Sequence, residues 1–350
     1  MTVTAPTIED VTRSLARADA DATGDPTGDP VPVPRVDARL VAVAGSLCIA
    51  FSPIFIALAG TSPGTATFFR CALALPLLAP LALLEWRRRR RTAASTGNRP
   101  FVLLLGGVLL GLDMTLWAES VRAVGAGVST VVVNAQVVIL PLLAFLVLGE
   151  RVRRTFVLAV PVMLVGVALA GGLVGGSEAM VGSAPVRGTV TALVAAVAYA
   201  GYLLFVRLGA GPGQRFTPVA IATVGAGATS FVIGSFWQGV DLAPGWPAIG
   251  WLVALAVVGQ VTGWVLIASA LPRLPSSTGA SILLLQPVGA VLLGAVILGE
   301  RPGVLQLLGC AVVLGAVAVA ARTRAAPPPE PAGEPAVEAR GEAAEDAERG

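Results

Sequence analysis

Three charged side chains lie inside long apolar stretches of this 350-residue chain: Arg70, Asp113 and Glu119. A charge at the bilayer centre costs about 2.5–3.5 kcal/mol on insertion scales, so each should turn toward protein or a wet cavity. Arg70 lies seven residues into its run and Asp113 nine residues from the end of the next. At 1.5 Å per residue, both sit roughly 10–13 Å from the same end of their helices. The two runs are joined by a hairpin, so the side chains can approach each other. One chemistry is a substrate- or proton-responsive pair facing a cavity, and membrane charges favour it. The other is a static ion pair that fixes helix packing. Glu119, six residues after Asp113, falls on a different helix face, where Arg122 at i+3 can pair with it near the surface. Trp117 and Ser120 share the face of Asp113, at i+4 and i+7. Trp117 suits a cavity wall for an apolar ligand part and suits packing or lipid equally well.

Uncharged polar residues form a second group. Asn134 and Gln136 sit near mid-depth of the fourth apolar run, ahead of Pro141, and Gln286-Pro287 sits at similar depth in the ninth. Proline loosens a helix and frees carbonyls, which a membrane tolerates against a cavity or other protein. Amide side chains there can donate and accept hydrogen bonds to a zwitterionic solute. Interhelical bonding, worth under about 1–2 kcal/mol each, is the plainer account. Arg70, Asp113, Trp117, Asn134, Gln136 and Gln286 are the expected cavity residues. Tyr199, Tyr202, Gln260 and Trp264 are further lining candidates for which packing is the simpler reading. Glu150 and Glu300 each follow a glycine and precede an arginine. They are candidate gates, one per side, or interfacial caps paired locally with Arg.

What is absent narrows the chemistry. There is no His, and all 24 basic residues are Arg. His-based catalysis and most transition-metal sites are therefore excluded. Without Lys there is no Gly-x-x-x-x-Gly-Lys phosphate loop and no direct ATP drive. Cys48, Cys71 and Cys310 lie in apolar runs and read as small core residues, not a disulfide framework. No enzyme, cofactor or metal site is expected.

The elements that must position these groups follow from composition. Hydrophobic residues make up 55% of the chain and charged ones 13%, against about 25% charged in soluble domains. Ten apolar runs are read: 39–60, 63–84, 101–122, 126–148, 155–173, 188–208, 217–239, 246–270, 276–298 and 303–321. Each approaches the ~20 residues that a helix needs to cross a bilayer. Period-2 alternation is missing, so an all-α helical bundle is expected. Residues 1–38 and the Pro/Glu/Ala-rich 322–350 are expected to be disordered tails. Counting the loops together with the adjoining span ends, one side carries twelve Arg (87–91, 99, 151, 153, 154, 207, 215, 273) and the other three (122, 187, 301). The positive-inside rule then places both termini in the cytoplasm. The basic excess of the membrane region faces anionic lipid, and no nucleic-acid partner is implied.

An internal repeat is visible. Leu148-Gly-Glu-Arg-Val152 recurs as Leu298-Gly-Glu-Arg-Pro302, and at the same offset Gln136 falls on Gln286. Two five-helix halves in series, 39–174 and 187–321, must have opposite orientations. Such inverted-topology repeats are a signature of secondary transporters. Small residues at helical spacing, such as Gly166/Ala170 and Gly294/Leu298, fit close helix contacts, including a homodimer contact.

These residues resemble the EamA-type permeases of the drug/metabolite transporter superfamily. The likeness rests on Ser62-Pro-Gly-Thr-Ala-Thr-Phe-Phe-Arg-Cys-Ala72, Gly111-Leu-Asp-Met-Thr-Leu-Trp117 and Gly125-Ala-Gly-Val-Ser-Thr130 leading to Asn134, Gln136 and Arg151. In the second half it rests on Leu285-Gln-Pro-Val288 and the second Gly-Glu-Arg. It spans about residues 39–321. The resemblance implies a ten-helix, alternating-access carrier for small organic metabolites such as amino acids, often moved outward across a bacterial cytoplasmic membrane. The second half has no counterparts of Arg70, Asp113 and Glu119, so it should supply shape more than charge. A channel or a non-transporting membrane scaffold is the alternative.

Overall fold

The computed structural model describes residues 37–91, 99–150, 154–172, 184–211 and 214–324. Most of the expected tails, 1–36 and 325–350, and the loop residues Arg151 and Arg153 lie outside the described residues. Ala38 already opens the first helix, and the last helix continues to Arg324.

The described chain is helical throughout, with no strand among the described residues. In order the elements are α1 (Ala38–Ala59), α2 (Pro63–Arg91), α3 (Pro100–Val124), α4 (Ala126–Leu148) and α5 (Arg154–Ala170). The second half adds α6 (Pro185–Gly209), α7 (Phe216–Trp237), α8 (Ala248–Arg273), α9 (Ser276–Leu283, resuming as Leu285–Ile297) and α10 (Val304–Arg324). Among the described residues seven helices are long and apolar enough to cross a membrane: α1, α2, α3, α4, α6, α7 and α8. The apolar helical stretches Val157–Ala170, Ser281–Ile297 and Val304–Ala320 are shorter. Large apolar side chains such as Leu146, Leu158 and Val296 stand exposed on the outside, the surface a lipid-facing bundle presents.

Exchange symmetry governs the pairing. Helix α3 packs on α6, as α8 packs on α1; α4 packs on α6, as α9 packs on α1. Three pairs join a helix to its own repeat mate: α2 with α7, α4 with α9, and α5 with α10. The close approaches need glycine. A Cβ on Gly107 would lie 2.5 Å from the Ala222 carbonyl oxygen, and one on Gly111 would lie 2.6 Å from that of Ala226. Gly166 faces Val313 of α10 and Gly289 faces Ala50 of α1. The small residues thus serve contacts within the chain.

Helices α4 and α9 are both interrupted where they pass mid-bundle. In α9 the break falls at Leu284, because the ring of Pro287 clashes with the carbonyl of residue 283. In α4 it falls at Asn134 and Ala135. There the Asn134 amide donates back to the Thr130 carbonyl at 2.7 Å, and the next backbone bonds tighten to i−3. At the repeat offset Asn134 corresponds to Leu284, so the two breaks match. Helix α8 carries a third irregularity, a π-helical stretch over Leu255–Thr262. Such wide turns recur at functional sites.

Candidate substrate cavity

The middle of the bundle holds a partly open cavity of about 120 Å³, below the ~300–1,000 Å³ of drug-sized ligand pockets. Arg70, Asp113, Trp117, Asn134, Gln136 and Gln286 all reach its wall. So do Tyr199, Tyr202, Gln260 and Trp264, together with Met114, Thr130 and Val219, among others. Helix α2 supplies the cation and α3 the carboxylate. The broken helices α4 and α9 supply amides from beside their breaks.

Arg70 is held from two sides. Its Nε donates to Gln260 Oε1 at 2.7 Å, and its guanidinium carbon sits 5.7 Å from the centre of the Trp117 ring. The π turn of α8 carries Gln260 at this place, and Gly259 beside it lets α8 press onto Ser52 of α1. Asp113 shares the cavity wall with Arg70. No ion pair joins them, so the two buried charges face one space without a direct bridge. Three buried polar atoms on the wall lack a hydrogen-bond partner: Asp113 Oδ1, Trp117 Nε1 and Gln136 Oε1. Unpaired buried polar groups are costly and call for an explanation. Here they make a preset pattern of two acceptors and one donor beside a fixed cation.

The indole of Trp117, which suited lipid and cavity equally in the sequence, lines the cavity. Ser120 is fully buried but is not on its wall.

Other acids depart from the expected local pairing. Glu119 does not bind Arg122. Its Oε1 lies 2.8 Å from Arg187 Nη2, and its Oε2 accepts from Gln238 Nε2 at 2.7 Å. Arg122 instead donates to Gln238 Oε1 at 3.1 Å. The partners come from α6 and from the end of α7, which a reading along α3 cannot see. Glu150 and Glu300 also find distant partners. Gly149 and Gly299 both take a left-handed turn at φ 67°, the conformation that ends a helix and favours glycine. Glu150 then grips Arg207 with both oxygens, at 2.6 and 3.1 Å. Glu300 accepts the backbone N–H of Ala126 at 2.6 Å and of Gly127 at 3.2 Å, the first amides of α4. Since Glu150 closes the other end of α4, the two acids mark opposite ends of the bundle. Glu85, not singled out from the sequence, likewise caps α7 through the amides of Arg215, Phe216 and Thr217.

Comparison with known proteins gives a consistent picture. The EamA-like transporter family matches residues 38–172 and again residues 186–322. The uncharacterized transporter YcbK of Bacillus subtilis (strain 168) is 26% identical over 295 residues, covering 76% of this chain and 86% of that one. A solved crystal structure is similar in fold, with a TM-score of 0.53 at 20% identity, over 81% of this chain and 95% of its own.

Proposed function

The chain belongs to the EamA-like transporter family, a multi-pass membrane transporter, and from that premise we propose a secondary carrier that exports small zwitterionic metabolites by alternating access. The observation that carries the substrate class is the wall of unpartnered atoms around a tethered guanidinium. A carboxylate meets Arg70 and Trp117 Nε1, while an ammonium meets Asp113 Oδ1 and Gln136 Oε1. Tyr199, Tyr202 and Met114 border the remaining space. Amino acids and their close relatives fit that chemistry and size.

Ten spans complete the reading. Helix α5 has 17 residues and α10 has 21, within the ~17–25 that span a bilayer. The Arg-rich loops set the Glu150 end and both termini in the cytoplasm of a cell membrane. The cavity reaches Val219 and Tyr202, near the Glu150 ends of α7 and α6.

The test is counterflow in proteoliposomes loaded with a mixture of unlabelled amino acids and offered radiolabelled ones. Saturable uptake accelerated by the internal solute is expected. A linear, unsaturable flux would identify a channel, and no flux by well-inserted protein would leave a scaffold.

Coupling to protons is assigned to Asp113, the buried carboxyl with a free oxygen at the cavity. Asp113→Asn should weaken gradient-independent exchange about tenfold or more, since one buried charge-assisted bond is worth about 1.5–3 kcal/mol, and the exchange that remains should no longer be accelerated by a pH gradient. Full gradient-driven uptake by this variant would remove Asp113 from the coupling.

A further inference from the structure

We propose that Glu300 is a latch that seals one end of the cavity only, and that its repeat twin Glu150 cannot do the same at the other end. The proposal rests on the alternating-access reading above and extends it by breaking its symmetry.

At the Glu300 end the first half of α4 (Ala126–Val133) packs across the second half of α9 (Leu285–Ile297). The crossing is close: a Cβ on Gly127 would lie 2.8 Å from Val291 Cα. Over it the Glu300 carboxylate binds the amides of Ala126 and Gly127. An anion at a helix start is favoured by the exposed N–H groups and the helix dipole. The carboxylate can lie there because residue 294 is glycine. A Cβ at Gly294 would stand 2.5 Å from Glu300 Oε2.

The repeat positions at the other end are filled differently. Ala144 corresponds to Gly294, and its buried methyl occupies the place that Gly294 leaves empty. Ser277 corresponds to Gly127, and Pro141 to Val291. Among the described residues, Ser276–Leu283 and Gln136–Leu148 have no packing comparable to the Glu300-end crossing. The Glu150 carboxylate is turned outward, 43% exposed, onto Arg207. A surface pair of this kind contributes little. The duplicated motif therefore ends both helices alike, but it clamps only one of the two crossings.

The test is a distance measurement by double electron–electron resonance in lipid nanodiscs. Spin labels are placed on Val186→Cys at the start of α6 and Val304→Cys at the start of α10, both exposed at the Glu300 end. Cys48, Cys71 and Cys310 are replaced by Ala. Glu300→Gln should raise the ratio of long to short distances at least tenfold. Gly294→Ala should do the same while keeping the carboxyl, by unseating it sterically, which guards against a folding defect in the first variant. Glu150→Gln and Ala144→Gly should leave the ratio unchanged. Two populations indifferent to Glu300 and Gly294, or equally sensitive to Glu150, would overturn the latch alone. A parent chain that holds one distance between these labels both without solute and with a saturating mixture of amino acids would overturn the carrier reading beneath it.

Discussion

Arg70→Met should lower solute uptake about thirtyfold or more in proteoliposomes, while the melting temperature of the purified protein stays within a few degrees or rises. The first half follows from what the guanidinium does. Removing one partner of a buried, hydrogen-bonded charge pair costs about 2–5 kcal/mol, and each 1.4 kcal/mol is about tenfold. The second half separates a binding role from a packing role. A buried charge with no ion-pair partner carries a desolvation cost that an apolar residue of similar length does not. Arg70 makes one side-chain hydrogen bond, to Gln260, and one ring contact, to Trp117. Neither is an ion pair, and Asp113 on the same wall makes no direct bridge to the guanidinium. If instead the arginine served mainly to lock helices together, Arg70→Met would melt well below the parent and its transport would fall in proportion to folded protein.

The second large effect concerns stability. Gly309→Ala should lower the melting temperature by roughly 5–10 °C, measured by intrinsic fluorescence in detergent. A Cβ at Gly309 would run into the Ala170 backbone nitrogen and lie 2.6 Å from the Gly166 carbonyl oxygen. These are main-chain atoms and cannot swing aside, so α5 and α10 must part. Overpacking of this kind costs about 1–3 kcal/mol and sometimes more, at about 2–4 °C per kcal/mol for a chain of this order of size. Gly315 on the same helix supplies the control, because nothing lies within 4 Å of its added Cβ. There alanine should be neutral or slightly stabilising, by helix propensity. Equal losses at both positions would mean that the α5–α10 crossing is not the cause.

The sequence makes the polar set conspicuous because lipid makes it so. Arg70, Asp113, Gln136 and Gln286 stand out where every neighbour is apolar. Their partners are a different matter. That Arg70 takes Gln260, 190 residues on, depends on a π turn that comes from packing, with Gly259 against Ser52. Glu119 passes over its near neighbour Arg122 for Arg187, because helix α6 brings that guanidinium to the carboxylate. The repeat is legible as a spelling, and the left-handed glycines at 149 and 299 are what the spelling encodes. The target of each following acid lies 57 and 174 residues away and is set by how the halves cross. The end of α2 moved as well: the helix runs on past the apolar run to Arg91.

The matched interruptions of α4 and α9 carry a mechanical consequence. Gln136 and Gln286 stand one or two residues past the breaks at Ala135 and Leu284, so a solute that tugs on either amide loads an elbow rather than a rigid rod. The force is felt where bending is softest, and each forearm can swing while the uninterrupted shafts of α3 and α6 keep the frame still.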